Sequence, residues 1–217
     1  MTLALVPAKA LDEAKGRLAA LLTEHERRSL ALVMLADVLR ALNSSRRVER
    51  AFVISPDHDI LRDAERYGAE PVAQPPSLTG INQALKHGLR IASLETPSAV
   101  LVLLADVPAV TAQEIDGVID ALPSDRGVVI CPSRANGTSA LALRPPEVID
   151  FCFGPDSFAK HEREADARGA PIKIIRADSL LHDIDEPDDL RYLMSHAAET
   201  ATHRLLAEMR IAERLEG

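Results

Sequence analysis

The sequence predicts an α/β fold built on a mainly parallel β-sheet. Short apolar or β-branched runs alternate with segments of helical periodicity through most of the 217 residues, which is the pattern of βαβ units. The run VLVLLA, residues 100–105, is apolar at every position, as expected of a strand at the centre of a sheet covered on both faces. No internal repeat and no linker rich in Gly or Ser divides the chain, so we expect a single domain over residues 1–217.

The predicted strands are short runs of apolar and β-branched residues, bounded by charged residues or turn residues. Most of them are followed by a helical segment, so we expect most of them to run parallel. In chain order they cover residues 3–6, 51–55, 71–73, 99–104, 127–131, 139–143 and 172–175.

The predicted helices lie between these strands and show apolar residues at helical spacing. The first helix opens with a capping box formed by Thr23 and Glu26. A C-terminal tail, from about residue 196 to 217, also has helical periodicity, and we expect it to pack on the domain or on a second subunit of a homodimer. The helices before the tail cover residues 23–42, 59–67, 80–94, 111–122, 157–168 and 188–198.

Composition and charge exclude several classes of function. A formal charge of -8 and 3% aromatic residues without Trp disfavour nucleic-acid binding, which needs basic surfaces or stacking side chains. Only Cys131 and Cys152 occur, so a disulfide framework or a zinc site is not expected, and a reducing cytoplasm fits. The N-terminus has no signal-peptide core, and no apolar run approaches membrane-spanning length. We therefore expect a cytoplasmic protein with neither a nucleic acid nor a membrane as partner.

The segment LLHDIDEPDDL, residues 180–190, gathers acidic side chains before and within the start of a predicted helix. Acidic residues and proline both favour the first turn of a helix, which accounts for residues 186–189. Asp183 and Asp185 come earlier and flank the apolar Ile184. In an extended segment both carboxylates would share one face, where a cation relieves their repulsion. The spacing suggests a hard divalent metal ion such as Mg²⁺, and the alternative is that these acids only decorate a turn.

Ligands of open parallel sheets bind beyond the carboxyl ends of the strands. Cations, carboxylates and glycines follow several predicted strands of this chain, although each has a plain alternative, such as a solvated helix face or a turn cap. These residues are Lys9, Lys15 and Arg17 after the first strand, Asp106 after the fourth, Gly137 and Thr138 after the fifth, then Gly154, Ser157, Lys160 and His161, and finally Asp183 and Asp185.

Carboxylates from distant segments, together with Lys and Arg, suit a metal-bound nucleoside triphosphate. Mg²⁺ takes oxygen ligands and keeps several waters, so Asp106, Asp183 and Asp185 are the predicted metal ligands. Lys9 and Arg17 are predicted to neutralise the triphosphate and the departing pyrophosphate, which makes them, with Asp106, the predicted catalytic residues. Neither a P-loop nor a Rossmann G-x-G-x-x-G pattern is present.

The opening VPAKALDEAKGRL resembles the P-x-K-x-L-x-x-A-K-x-R-L start of the guanylyltransferases that build the deazaflavin coenzyme F420. The resemblance continues through TGINQAL, LADVPAV, NGTSAL, FGPDSFAKH and HDIDEPDDL, in the order of that family, over roughly residues 3–195. It implies a GT-A-like nucleotidyltransferase fold, which is a three-layer α/β/α Rossmann-like sandwich with a mixed sheet.

The reaction implied by the resemblance joins GMP from GTP to a small phospho-acid and releases pyrophosphate. The acceptor in this family is 2-phospho-L-lactate, phosphoenolpyruvate or 3-phospho-D-glycerate, and a downstream transferase of the F420 pathway uses the product. The sites implied by the resemblance are the metal ligands Asp106, Asp183 and Asp185 and the acceptor-binding residues Thr138, Gly154 and Ser157, which we predict His161 to assist. The predicted nucleotide-binding residues are Lys9, Lys15, Arg17, Gln74, Gly80 and Asn82.

One motif departs from the family pattern. Many relatives carry Asp-Gly-Gly-Thr-Asn where this chain has Ala135, Asn136, Gly137, Thr138 and Ser139, which keeps the threonine but leaves the identity of the acceptor open. Two other readings also stay open at this point. One is a nucleotidyltransferase that acts on a sugar phosphate or molybdopterin, and the other is a non-catalytic α/β binding module.

Overall fold

The structure is a computed structural model that describes residues 1–134 and 136–216; Ala135 and Gly217 lie outside the described residues. Its strands form a seven-stranded sheet in the order β3-β2-β1-β4-β6-β5-β7. The predicted central strand is indeed the middle strand of this sheet, and all of its residues are buried. The strands are β1 Thr2–Pro7, β2 Arg50–Ser55, β3 Glu70–Ala73, β4 Ala99–Leu103, β5 Gly127–Pro132, β6 Thr138–Arg144 and β7 Ile172–Ile174.

The sheet is mixed, as the resemblance implies. Strands β1 to β4 pair in parallel, and β5 pairs in parallel with β7, but β6 runs antiparallel to both β4 and β5. Only residues 133–137 separate β5 from β6, and a parallel crossover needs a dozen residues or more. The short connection therefore forces the antiparallel direction of β6.

The helices form close to the predicted positions. The capping box of Thr23 and Glu26 is confirmed at the start of α1, and the predicted segment 80–94 divides into α3 and a 3-10 turn at Ser93–Glu95. Among the described helices, none combines the length and the apolar character that crossing a bilayer demands. The helices are α1 Glu24–Ser44, α2 His58–Arg66, α3 Ile81–Ala92, α4 Ala112–Asp120, α5 Ser157–Ala167, α6 Asp178–Leu181, α7 Pro187–His196, α8 Ala201–Glu208 and α9 Ile211–Glu216.

Helices cover both faces of the sheet, so the three-layer prediction is confirmed. Apolar side chains of α1, α2 and α4 pack on one face of the sheet, and those of α3 and α5 pack on the other. Alternate residues of the central strand β4 point to opposite faces of the sheet. Leu101 and Leu103 pack with α1, α2 and α4, and Val100 and Val102 pack with α3 and α5. This double coverage explains why the strands read as continuous apolar runs.

The C-terminal tail packs on its own domain. Leu206 of α8 and Ile211 of α9 are fully buried in a third apolar cluster, together with Leu30 and Met34 of α1 and Ile184. Of the two predicted packing partners, the domain itself is therefore confirmed, and a second subunit stays a prediction. Because Ile184 shares this cluster, the tail also supports the segment that carries Asp183 and Asp185.

Asp37 of α1 fixes the start of α8. Its buried carboxylate accepts hydrogen bonds from the backbone N–H groups of Ala201 (3.1 Å) and Thr202 (2.8 Å) and from the Thr202 hydroxyl (2.7 Å). Asp37→Ala is expected to lower the free energy of unfolding by roughly 1–3 kcal/mol, because buried donors lose their acceptor. Urea unfolding followed by circular dichroism measures this loss. Asp63→Ala, at a carboxylate paired with the exposed Arg66, is the control and should change it by less than about 0.5 kcal/mol.

Candidate active site

The strand directions bring most of the predicted site residues to one edge of the sheet. Because β1 and β4 are parallel, the chain leaves the sheet at this edge after Pro7 and after Leu103. The antiparallel β6 begins at the same edge, where Thr138 lies opposite Pro132 at the end of β5. The chain after Ile174 returns there too, because β7 is parallel to β5. The loops with the predicted nucleotide, metal and acceptor residues thus share one edge.

Asp106, Asp183 and Asp185 form a carboxylate cluster at this edge. One carboxylate oxygen from each residue lies within 4.8 Å of the others. The Ile184 N–H donates to the Asp106 carbonyl oxygen (2.9 Å), which ties the two segments together, and the Ile184 side chain is fully buried. The predicted alternation over residues 183–185 is therefore confirmed.

The cluster fits a hard divalent metal ion. Its donors are carboxylate oxygens, the ligands that Mg²⁺ prefers in proteins. Oδ1 of Asp106 is buried and has no hydrogen-bond partner among the described residues. A buried polar oxygen without a partner is costly, and a bound cation would satisfy it. Two segments that are distant in sequence can thus hold one ion together.

Lys15 lies inside the carboxylate cluster. Its Nζ donates to Oδ2 of Asp106 and Oδ1 of Asp185, both at 2.9 Å, and the side chain is only 8% exposed. The alternative of a solvated helix face is therefore wrong for this residue. Burial would lower the pKa of Lys15, but the two adjacent carboxylates outweigh that effect and raise it. The left-handed backbone of Lys15, with φ of 52°, is uncommon for a residue that has a Cβ atom.

The two aspartates of the 183–185 segment differ in electrostatics. Burial, together with the like charges of Asp106 and Asp185, raises the pKa of Asp183 to about 6. Burial acts in the same direction on Asp185, but the charge and hydrogen bond of Lys15 hold the pKa of Asp185 below its ordinary value. The Asp183 carboxylate is thus the less compensated of the two, and a bound cation would stabilise its ionised form.

Lys9 and Arg17 lie at the open side of the cluster. Lys9 is exposed, and the Arg17 guanidinium, 70% exposed, donates to Oε1 of Glu186 at 3.1 Å. Both charges contribute to the low pKa of Asp185, so both side chains lie in its neighbourhood. Their contact with a triphosphate stays a prediction.

Asp57 is a site residue that the sequence analysis did not identify. It follows β2, and its carboxylate accepts a hydrogen bond from the Leu11 N–H (3.0 Å), which holds the loop between Lys9 and Arg17. The same side chain caps α2, and although burial opposes the shift, its backbone N–H donors lower the pKa of Asp57. Its position two residues after β2, a strand that ends at the same edge, could have identified Asp57 from the sequence.

Arg134 is a second residue that the sequence analysis missed. Its N–H donates to the Leu181 carbonyl oxygen (3.0 Å), and its guanidinium Nη1 lies 3.5 Å from Nδ1 of His182. His182 immediately precedes Asp183 in the chain. Arg134 thus belongs to the loop that leads to Thr138 and contacts the segment directly before Asp183. Its position two residues after β5 could have identified it from the sequence.

The predicted acceptor residues form a second group at the same edge. The Ser157 hydroxyl donates to Oγ1 of Thr138 (3.3 Å), and both side chains are buried. Gly154 has a φ of 121°, which requires glycine, and the space beside its Cα is open. The structure therefore brings Thr138, Gly154 and Ser157 together at the start of α5, and their contact with an acceptor stays a prediction.

His161 is fully buried beside this group. Its Nε2 accepts a hydrogen bond from the Cys152 N–H (3.0 Å), and its Nδ1 lies 3.0 Å from Oγ1 of Thr138. Burial lowers the pKa of His161 to about 4, so the ring is neutral and carries its proton on Nδ1, which donates to Thr138. Both ring nitrogens are thus engaged within the protein, and the alternative of a surface histidine is wrong.

The predicted nucleotide residues Gln74, Gly80 and Asn82 lie in the connection from β3 to α3 and in the first turn of α3. Gln74 donates to the Leu78 carbonyl oxygen (2.6 Å) and so shapes its own loop, and Gly80 has a positive φ of 76° at the helix start. Nδ2 of Asn82 donates a hydrogen bond to the Phe153 carbonyl oxygen, and Oδ1 of Asn82 accepts one from the Phe153 N–H. Contacts of these residues with a nucleotide stay predictions.

The geometry of this edge agrees with a comparison with known families. A family model described as "Guanylyl transferase CofC like" matches residues 2–216. The chain belongs to the CofC-like guanylyltransferase family. Membership supports a nucleotidyltransferase enzyme and disfavours the reading as a non-catalytic binding module.

Curated relatives of this CofC-like chain carry guanylyltransferase names. A phosphoenolpyruvate guanylyltransferase from Sphaerobacter thermophilus is 44% identical over 90% of this chain and 94% of its own length. A 3-phospho-D-glycerate guanylyltransferase from Phenylobacterium zucineum is 37% identical over 81% of this chain and 82% of its own length. A 2-phospho-L-lactate guanylyltransferase from Methanothermobacter thermautotrophicus is 31% identical over 96% and 91%, respectively.

Solved structures with little sequence identity share the fold of this CofC-like protein. A protein from Desulfovibrio desulfuricans G20, assigned as a nucleotide-diphospho-sugar transferase, superposes with a TM-score of 0.80 at 17% identity and covers 98% of this chain and 97% of its own. A nucleotidyl transferase from Methanothermobacter thermautotrophicus superposes with a TM-score of 0.66 at 16% identity and covers 90% and 97%. The predicted nucleotidyltransferase fold is confirmed.

Proposed function

We propose that this protein transfers GMP from GTP to the phosphate of a small phospho-acid and releases pyrophosphate, in the biosynthesis of coenzyme F420. The observation that carries the proposal is the cluster of Asp106, Asp183 and Asp185 around Lys15, in a chain of the CofC-like guanylyltransferase family. Phosphoenolpyruvate is the first acceptor to test, because the relative at 44% identity is named for it. The two other acids, 3-phospho-D-glycerate and 2-phospho-L-lactate, give their names to more distant relatives.

The proposed chemistry needs no strong general base. An oxygen of the acceptor phosphate is already an anion; it attacks the α-phosphorus of GTP, and the bond from that phosphorus to the β-phosphate oxygen breaks as pyrophosphate leaves. The protein's task is to bring two polyanions together and to balance their charge. Lys9, Lys15 and Arg17 are proposed to neutralise the triphosphate and the pyrophosphate. Thr138, Gly154 and Ser157 are proposed to hold the acceptor.

Asp106, Asp183 and Asp185 are proposed to hold Mg²⁺. When bound, the ion would neutralise charge on the phosphate oxygens of both substrates. The buried Oδ1 of Asp106, which has no partner among the described residues, supports this assignment. Gln74 and Gly80 are proposed to lie against the guanine or ribose of GTP. We also propose a cytoplasmic location, which the free thiols of Cys131 and Cys152 support. Two further proposals are that the protein forms a homodimer and that it delivers its product to a downstream transferase of the F420 pathway.

The decisive experiment measures pyrophosphate release by the pure protein. We expect release with GTP, Mg²⁺ and one of the three phospho-acids, and little or none when ATP, CTP or UTP replaces GTP. The downstream transferase, added to the same reaction, traps an unstable product for identification by mass spectrometry. Release with a sugar phosphate or with molybdopterin, and none with any phospho-acid, would refute the proposal in favour of the other nucleotidyltransferase reading.

A further inference from the structure

Two side chains hold the backbone directly before Gly154. Nδ2 of Asn82 donates to the Phe153 carbonyl oxygen (3.0 Å), and the Phe153 N–H donates to Oδ1 of Asn82 (2.8 Å). The preceding N–H, that of Cys152, donates to Nε2 of His161 (3.0 Å). Backbone groups of two consecutive residues are thus bound by side chains from two different helices, α3 and α5.

This arrangement fixes the loop in position and orientation. A side-chain amide that donates to the carbonyl oxygen and accepts from the N–H of one residue restrains the peptide groups on both sides of that residue. Packing adds to the constraint, since the Phe153 ring is buried and meets the His161 ring edge-on with centroids 4.8 Å apart. Gly154, with its positive φ and open space, follows at once, and Ser157 opens α5 three residues later.

Asn82 also links two parts of the active-site edge. It lies in the first turn of α3, two residues after Gly80, and its bonds to Phe153 span 71 positions of sequence. Those two bonds hold the amide against Phe153 and leave only its second N–H and its second oxygen lone pair for any contact with guanine or ribose. The buried His161, likewise, has no exposed ring nitrogen with which to meet a substrate.

We propose that Asn82 and His161 are positioning residues for the phospho-acid. They hold the backbone of residues 152–154 in place as the loop that binds the phospho-acid, and they do not touch the phospho-acid themselves. The inference rests on the proposed function, because it concerns the acceptor of that reaction. It assigns Asn82 to the acceptor side although its sequence motif belongs to the nucleotide side. A loop displaced by about 1 Å can cost up to a hundredfold in rate, so both residues should matter strongly for acceptor use.

Steady-state kinetics on variants separate acceptor positioning from nucleotide contact. We expect Asn82→Ala and His161→Leu each to raise the KM of the acceptor about tenfold or more, and to leave the KM of GTP within about twofold. His161→Gln, which can still offer an acceptor oxygen to the Cys152 N–H, should recover part of the loss. Arg90→Ala, at an exposed residue of the same helix α3, is the matched control and should change neither KM.

Hydrogen exchange measures the same contacts without substrates. We expect peptides that cover residues 151–156 to exchange faster in Asn82→Ala and His161→Leu than in the wild type and in Arg90→Ala. This readout stands even if the wild type releases no pyrophosphate, so failure of the proposed function is distinguishable from failure of the inference. Unchanged exchange in both variants would overturn the inference, and so would an Asn82→Ala variant with a raised KM for GTP and an unchanged KM for the acceptor.

Discussion

Asp183→Asn is expected to lower turnover on the order of a thousandfold while the chain stays folded. Asparagine keeps the shape of the side chain but removes one of the three negative charges that would hold the metal ion. Within the described residues, both hydrogen bonds of the Lys15 ammonium go to Asp106 and Asp185, so this substitution leaves them in place. Pyrophosphate release at saturating GTP, Mg²⁺ and acceptor measures the effect.

The stability of the same variant tests the electrostatic argument. The pKa of Asp183 is raised by burial and by two neighbouring carboxylates, so its charge opposes folding at neutral pH in the metal-free protein. Asp183→Asn should therefore melt no lower than the wild type in EDTA, and it should gain less stability from added Mg²⁺. Asp188→Asn, at a side chain that is 79% exposed on α7, is the control and should leave turnover unchanged. Turnover of Asp183→Asn within about tenfold of the wild type would contradict the assignment.

The sequence predicted the carboxylate cluster because local rules were sufficient. Alternation around the apolar Ile184 gave the shared face of Asp183 and Asp185, and the burial of Ile184 confirms it. The rule that ligands bind beyond strand ends then related this segment to Asp106, which follows the central strand. The antiparallel direction of β6 was not predicted from the residues themselves; the resemblance implied only a mixed sheet, and the observed connection of five residues explains the direction.

The contacts of long side chains could not be predicted in the same way. The ammonium of Lys15 reaches Asp185 across 170 positions of sequence, and no local pattern reports such a distance. The sequence motif of Asn82 predicts a nucleotide contact. Its hydrogen bonds to Phe153 could not be predicted, because they depend on how α3 packs beside the loop before α5. His161 has a polar neighbour on each side in sequence, and only tertiary packing makes it a fully buried residue.

Lys15→Met is expected to lower kcat/KM on the order of a hundredfold or more, because the carboxylate cluster and the triphosphate lose a buried cation. In EDTA the variant should also be less stable than the wild type, since three carboxylates would face one another without the ammonium. We expect a loss of roughly 1–3 kcal/mol, less than for a fully buried ion pair because Asp185 is 44% exposed. Thermal melting with and without a divalent ion measures it.

The response to metal decides whether Lys15 and the ion compete for the same oxygens. If they do, Mn²⁺ should stabilise Lys15→Met more than the wild type, because the ion no longer has to displace the ammonium from Asp106 and Asp185. Arg17→Met is the control for stability, since its ion pair with Glu186 is exposed on both sides and worth at most about 1 kcal/mol. Equal stabilisation of the wild type and Lys15→Met by Mn²⁺ would mean that the ion binds without disturbing the lysine.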